Sequence, residues 1–192
     1  MQLERDSLYA GFTKKADQQT LPAEIANRNR FAIAQAWLKP LIGFVREGFK
    51  GYSPTVEGFV AAKSFLLRNA IEGEYPDYII NPAKMKLSYG DLPMAADPAV
   101  AHQADTNELV FTRDQSTPAG ASNQDQVMLL AYFASVSKVI SMTTGVFRRT
   151  GTDELQLSDN LLGKEADVYI AFIAADRSRQ SDSVYLGKVL CE

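Results

Sequence analysis

The side chains of this sequence best suited to chemistry are carboxylates. They cluster at three places: Glu72 with Glu74 and Asp77, Asp153 with Glu154, and Glu165 with Asp167. Paired carboxylates can bind calcium, or act as general acid and general base in hydrolysis, without any sequence motif. Most such clusters are only solvated surface, because acidic residues are seldom buried. An enzyme that uses carboxylates is therefore the least favoured function for this chain.

The chain lacks the residues that nucleophilic catalysis and metal binding need. The chain has one histidine, His102, and one cysteine, Cys191. His102 stands in a polar segment that predicts an exposed loop, with no serine in a nucleophile turn to accompany it. One His and one Cys cannot supply the three or four ligands that zinc usually takes. We therefore predict no catalytic residue, no metal site and no cofactor.

Composition and charge indicate a folded protein that does not bind nucleic acid. The 192 residues are 46% hydrophobic and 22% charged, as in ordinary globular chains. The net charge is −3 and the basic residues are scattered, whereas a nucleic-acid surface needs clustered Lys and Arg. No run approaches the roughly 20 apolar residues of a membrane helix, and the first residues lack the pattern of a Sec signal. We expect no membrane span, and the compartment stays open between the cytoplasm and export by another route.

The hydrophobic pattern that predicts the secondary structure around any site changes near Pro82. Before that residue, apolar residues recur at helical spacing; after it, they alternate in short strand-like runs. The pattern predicts an α+β protein in three parts: an extended tail over 1–20, a helical arm over 21–82 and a β domain over 83–192. In the tail, Leu8, Tyr9 and Phe12 are candidates to dock on another surface.

The arm is predicted to be an αα-hairpin. A helix starts at Pro22, is interrupted by Pro40, and reverses around Gly51 and Pro54 into a second helix over 55–72. Such a hairpin buries too little apolar surface to be stable alone. We expect it to pack against the β domain or against another chain.

About seven short strands separated by turns predict an all-β sandwich of immunoglobulin or fibronectin type III type. The predicted strands cover 84–89, 108–113, 126–134, 138–147, 154–158, 168–175 and 183–190. Tyr169 resembles the tyrosine of the sixth strand in fibronectin-like domains, whose hydroxyl bonds back to the upstream corner. The polar loop 176–182 between the last two strands carries Arg177 and Arg179 as candidate binding residues.

Three stretches resemble a family of uncharacterised Bacteroidota proteins, filed as a domain of unknown function. They are NRNRFAIAQAWLKPLIGFVREGFKGY, KSFLLRNAIEGEYPDYIINPAKMKLSYGDLP and VYIAFIAADRSRQSDSVYLGKV. The resemblance spans 21–190, and 69–93 is its most distinctive part. It implies a bacterial source and a helical half followed by a sandwich, but no activity and no catalytic residues. Members of that family carry a glycine-rich segment before the helices, which this chain lacks.

The favoured function is a non-enzymatic structural or interaction protein, a subunit that associates with itself or with a larger assembly. Its partner would be a protein, either a second copy or another chain. The alternative is a ligand-binding module, for example for glycans, that uses loops or exposed tyrosines such as Tyr52, Tyr132 and Tyr185. The candidate interaction residues are Leu8, Tyr9, Phe12, Tyr52, Arg177 and Arg179.

Overall fold

A computed structural model describes residues 22–192 of the chain. Three helices come first: α1 (Pro22–Leu38), α2 (Ile42–Gly48) and α3 (Gly58–Asn69). A short 3₁₀ turn over Lys39–Leu41 separates α1 from α2, because Pro40 has no N–H to continue the α-helical ladder. The predicted interruption at Pro40 is therefore confirmed.

The helical layer is formed by α3 folding back onto α1 and α2. Small side chains at the crossing, Ala34 on α1 with Ala61 and Ala62 on α3, are fully or almost fully buried. The second helix is shorter than the predicted 55–72. Its last predicted residues form strand β1 (Ile71–Glu72), which pairs with β2 (Ile79–Ile80) in a two-stranded ribbon.

Seven further strands form two antiparallel sheets, so the α+β class is confirmed. They are β3 (Ala99–Gln103), β4 (Glu108–Thr112), β5 (Gln126–Phe133), β6 (Lys138–Met142), β7 (Thr152–Gln156), β8 (Lys164–Ile173) and β9 (Val184–Cys191). One sheet has the order β3-β4-β7, and the other has the order β6-β5-β8-β9.

Two predictions of local structure are wrong. The segment 84–89 alternates apolar and polar residues but is not a strand, and His102 lies in β3 rather than in a loop. Segment 84–89 forms single hydrogen bonds to different partners instead of a ladder: the amide of Leu87 donates to Ser183 Oγ, and the amide of Tyr89 to the carbonyl of Gly48. One inward-facing residue of β3 is His102. Because histidine is polar, the hydropathy of β3 does not show the alternation that predicts a strand.

The four-stranded sheet lies in the middle of the molecule and is covered on both faces. Met128, Leu130 and Tyr169 face the helices, whereas Val127 and Phe172 face the three-stranded sheet. Because successive side chains of a strand point to opposite faces, β5 and β8 are buried along almost their whole length. The helical arm therefore lies on the β sheet of its own chain.

Tyr169 joins these layers. Its side chain is fully buried, and its hydroxyl donates to the carbonyl of Pro82, 2.8 Å away. The predicted bond to the upstream corner is therefore wrong. Tyr169 instead ties β8 to the segment that connects the helices to the sheets. Burial, with the nearby Asp167 carboxylate, raises the pKa of this hydroxyl far above its usual range.

Candidate functional site

The structure brings two of the predicted interaction residues, Tyr52 and Arg179, into one cleft. We call it the tyrosine cleft and define it by Tyr52, Tyr89, Asp91, Arg179, Gln180 and Asp182. Its volume is about 380 Å³. Three connections build it: the turn after α2, the segment before β3, and the loop between β8 and β9. Residues more than 120 positions apart thus meet at one opening.

Aromatic rings form one wall of the cleft. The rings of Tyr52 and Tyr89 meet edge to face with centroids 5.0 Å apart, and Phe49 packs behind both. Tyr89 keeps 39% of its surface exposed. The ammonium of Lys86 lies 5.0 Å from the centroid of the Tyr89 ring and pairs with Asp182. This wall therefore combines apolar ring surface with charge.

Arg179 and Asp91 form a second, polar part of the lining. The Nε of Arg179 lies 2.9 Å from Asp91 Oδ1, and its NH2 donates to the Asp91 carbonyl at 3.1 Å. The hydrogen bond from Arg179 holds the pKa of the Asp91 carboxyl below its usual range, and the same bond raises the pKa of the guanidinium. Arg179 is 42% exposed, so part of its guanidinium still faces solvent.

Gln180 fixes the floor of the cleft. It is 5% exposed, and its amide donates to the carbonyls of Lys50 and Tyr89. Gly90 is required beside it, since a Cβ at that position would lie 2.0 Å from the carbonyl oxygen of Gln180. Tyr89, Asp91, Gln180 and Asp182 were not among the interaction residues predicted from the sequence. The Gly90-Asp91 turn and the polar loop 176–182 were the signals that could have pointed to them.

Arg177 lies outside the cleft. Its backbone has a φ of 60°, and its guanidinium donates to the carbonyl of Thr143 and to Gln126 Oε1 at 2.8 and 2.6 Å. These bonds fasten the β8–β9 loop to the start of β5 and to the residue that follows β6. The side chain is half-buried and already engaged within the fold, and a role in binding stays a prediction.

A second opening shares no lining residue with the tyrosine cleft, and we call it the aromatic groove. It has a volume of about 540 Å³ and is lined by residues that include Trp37, Ile79, Pro82, Tyr132, Asp167 and Lys188. The rings of Trp37 and Tyr132 meet edge to face at 5.4 Å. It forms where the end of α1, the ribbon and the central sheet converge.

Asp167 is the polar centre of this groove. It is 5% exposed, and its Oδ1 accepts a hydrogen bond of 2.8 Å from the hydroxyl of Tyr185. Burial, followed by this bond to the carboxylate, raises the pKa of Tyr185 well above its usual range, so the hydroxyl remains a donor. Tyr132 is 3% exposed and Tyr185 is half-buried, so the prediction that both rings are exposed is wrong.

The comparison with protein families gives one match. A family described as a family of unknown function, DUF6266, matches residues 13–187. The chain belongs to DUF6266. No curated protein and no solved structure matches this DUF6266 chain. The predicted membership of an uncharacterised family is confirmed, and its assignment to Bacteroidota stays a prediction.

The DUF6266 match includes all six residues that define the tyrosine cleft. It begins after Leu8, Tyr9 and Phe12, and these three candidate residues also lie outside the residues that the structure describes. Within residues 22–192, no helix is long and apolar enough to cross a membrane.

The acidic clusters of the DUF6266 chain are engaged in local contacts. Glu72 pairs with Lys84 at 2.6 Å, and the bonds from Lys84 and then Asn81 lower the pKa of its carboxyl. Asp153 accepts the amides of Val146 and Glu154, each at 2.8 Å. In the described part of the chain, no three His, Cys, Asp or Glu side chains are grouped to hold a metal ion.

Proposed function

We propose that this protein is a non-enzymatic interaction module whose partner is another protein and whose binding surface is the tyrosine cleft. The observation that carries the proposal is the convergence of Tyr52, Tyr89 and Arg179 at one solvent-facing opening. Tyrosine and arginine are enriched among the residues that dominate protein interfaces, because each adds a large contact area and a directed hydrogen bond.

We further propose that its β half is a fibronectin type III-like sandwich. The strand order supports this assignment: β3-β4-β7 faces β6-β5-β8-β9, and in that fold the first, second and fifth strands face the fourth, third, sixth and seventh. Such sandwiches commonly bind through the loops at one end, where the β8–β9 loop contributes Arg179.

The structural organisation of the cleft supports binding without a large rearrangement. Gln180 and Gly90 hold its floor, and the Asp91–Arg179 pair keeps one wall in place. A surface that is already ordered loses little conformational entropy when a partner binds. The helical layer already lies on the sheet of its own chain, so the proposal does not rest on an uncovered helical arm.

Site-specific crosslinking in the producing cells tests the proposal. A photoreactive phenylalanine analogue at Tyr89, which is 39% exposed, is compared with the same analogue at Phe147, which is 40% exposed and outside the cleft. We expect a discrete adduct from position 89 only, weakened by Arg179→Ala. An adduct at twice the mass of the chain identifies self-association, and a different mass identifies another partner. Equal labelling from both positions, or none, contradicts the proposal.

Glycan binding is the second candidate. The specific support is that the same cleft places tyrosine rings beside Asp91, Arg179 and Asp182, and planar polar groups next to a ring are suited to sugar hydroxyls and CH faces. A glycan array that is positive for the native chain and negative for Tyr52→Ala supports it. A blank array with the native chain removes it.

A further inference from the structure

The aromatic groove contains a buried carboxylate without a cation. Within residues 22–192, no lysine or arginine nitrogen lies within ion-pairing distance of Asp167, although 95% of the residue is buried. Its one hydrogen bond within that range comes from the Tyr185 hydroxyl and engages Oδ1. The second carboxylate oxygen, Oδ2, accepts no hydrogen bond within that range, so it can accept one from a group that enters the groove.

One lysine lines the groove beside Asp167 but is paired elsewhere. Lys188 lies opposite Asp167 in the β8–β9 register, and its Nζ is 3.4 Å from Glu165 Oε2, so its charge is directed to that carboxylate. Within the described residues, Asp167 is therefore left without a paired cation. The groove thus attracts a positive group to the Asp167 carboxylate.

The walls of the groove fit the rest of a cationic side chain. Trp37 and Tyr132 present ring surface that can attract an ammonium, and Ile79, 61% exposed at the rim, offers an unpartnered apolar contact. Lysine carries a compact charge on a stem of four methylene groups, which pack along apolar walls while the ammonium reaches a polar end. A groove of about 540 Å³ is within the size range of ligand sites.

We propose that the aromatic groove receives a lysine side chain of a protein partner, with the ammonium on Asp167 and the stem between Trp37, Tyr132 and Ile79. This site is separate from the tyrosine cleft and does not depend on it.

Trp37 makes the site directly observable, because it is the single tryptophan of the chain and gives a single indole N–H resonance. The full-length protein is titrated with Nα-acetyl-lysine N-methylamide and with the matching norleucine compound, which lacks the ammonium. We expect the lysine compound to shift the Trp37 resonance saturably, with an affinity in about the millimolar range for so small a probe. The norleucine compound is expected to bind at least about tenfold more weakly.

Two variants locate the charge that is responsible. Asp167→Asn keeps the shape and the bond from Tyr185, and we expect about tenfold weaker lysine binding. Glu154→Gln removes one negative charge from an exposed side chain of β7, in the other sheet, and binding should stay within about twofold. Tyr52→Ala should leave it unchanged, which separates this site from the cleft.

The proposal is overturned by equal binding of the lysine and norleucine compounds, by a shift that does not saturate, or by equal losses in the Asp167 and Glu154 variants. The comparison of the two compounds uses the native chain. It therefore decides the question even if Asp167→Asn does not fold.

Discussion

At the residue scale, Arg148 is the least expected side chain of the core. It has no exposed surface, its guanidinium lies 3.4 Å from Asp125 and 3.9 Å from the centroid of the Phe172 ring, and it donates to the carbonyl of Pro93. Burial lowers the pKa of this guanidinium, and the Asp125 carboxylate opposes that effect. A sequence pattern assigns such an arginine to the surface, since its partners lie in distant segments.

Truncating Arg148 should therefore be among the most damaging single changes. Arg148→Ala leaves Asp125 buried without its cation, and we expect a loss of about 3–5 kcal/mol in the free energy of unfolding. Arg149→Ala is the matched control: its side chain is exposed, and its effect should stay within about 0.5 kcal/mol. Chemical denaturation measures both.

A double variant tests the pair itself. Replacing both partners, with Arg148→Met and Asp125→Asn, should recover part of the stability that Arg148→Ala loses. A double variant no more stable than Arg148→Met alone would refute a role for the pair.

At the element scale, the close approach of α2 to the segment 87–89 links the helical layer to the tyrosine cleft. A Cβ at Gly48 would lie 2.3 Å from the carbonyl oxygen of Leu87, and the Gly48 carbonyl accepts the amide of Tyr89. Helix propensity alone favours alanine over glycine at either glycine of α2. At Gly48, the close contact with the carbonyl of Leu87 reverses that preference.

Two glycine substitutions in the same helix test this contact. Gly43→Ala meets no atom within 4 Å and should raise the free energy of unfolding by about 0.5–1 kcal/mol. Gly48→Ala must displace backbone and should lower it, by about 1–3 kcal/mol, as overpacking does. Denaturation curves give the two signs, and the Tyr89 resonances should move only in the Gly48 variant. Stabilisation by both substitutions would contradict the close approach.

At the scale of the whole molecule, the helices and the central sheet share one core. Leu38, Phe44 and Leu66 from the helices belong to the same buried cluster as Leu130 and Tyr169 from the sheet. The other face of that sheet is covered by β4 and β7 through Leu109 and Leu155. Neither half can unfold without exposing apolar surface of the other, so we expect cooperative behaviour across the layers.

Equilibrium unfolding by two probes checks that expectation. Trp37 fluorescence reports the packing of α1, and far-ultraviolet circular dichroism reports the secondary structure of the whole chain, in which the strands are a large part. The two curves should have the same midpoint, because the layers lose their common core together. A helical layer that melts before the sheets would separate the curves and refute a shared core.

The sequence by itself determined what depends on near neighbours along the chain. Pro40 ends α1 because it lacks a donor, and the continuous apolar runs of β5 and β8 require a sheet covered on both faces. The order of a helical half before a β half, and the α+β class, follow from the change of period near Pro82.

Only the tertiary structure decided which distant residues meet. Tyr52, Asp91 and Arg179 come together because a turn after α2, a segment without a ladder and the β8–β9 loop reach the same end of the fold. Asp167 lines the aromatic groove for the same reason, since that groove exists only where α1 and the ribbon approach β8. Hydrophobic periodicity records which face of an element is buried, but not which element covers it, because many apolar surfaces bury a face equally well. Two carboxylates that are neighbours in the sequence therefore differ in exposure in the folded protein: Glu165 faces solvent, and Asp167 lies buried in the aromatic groove.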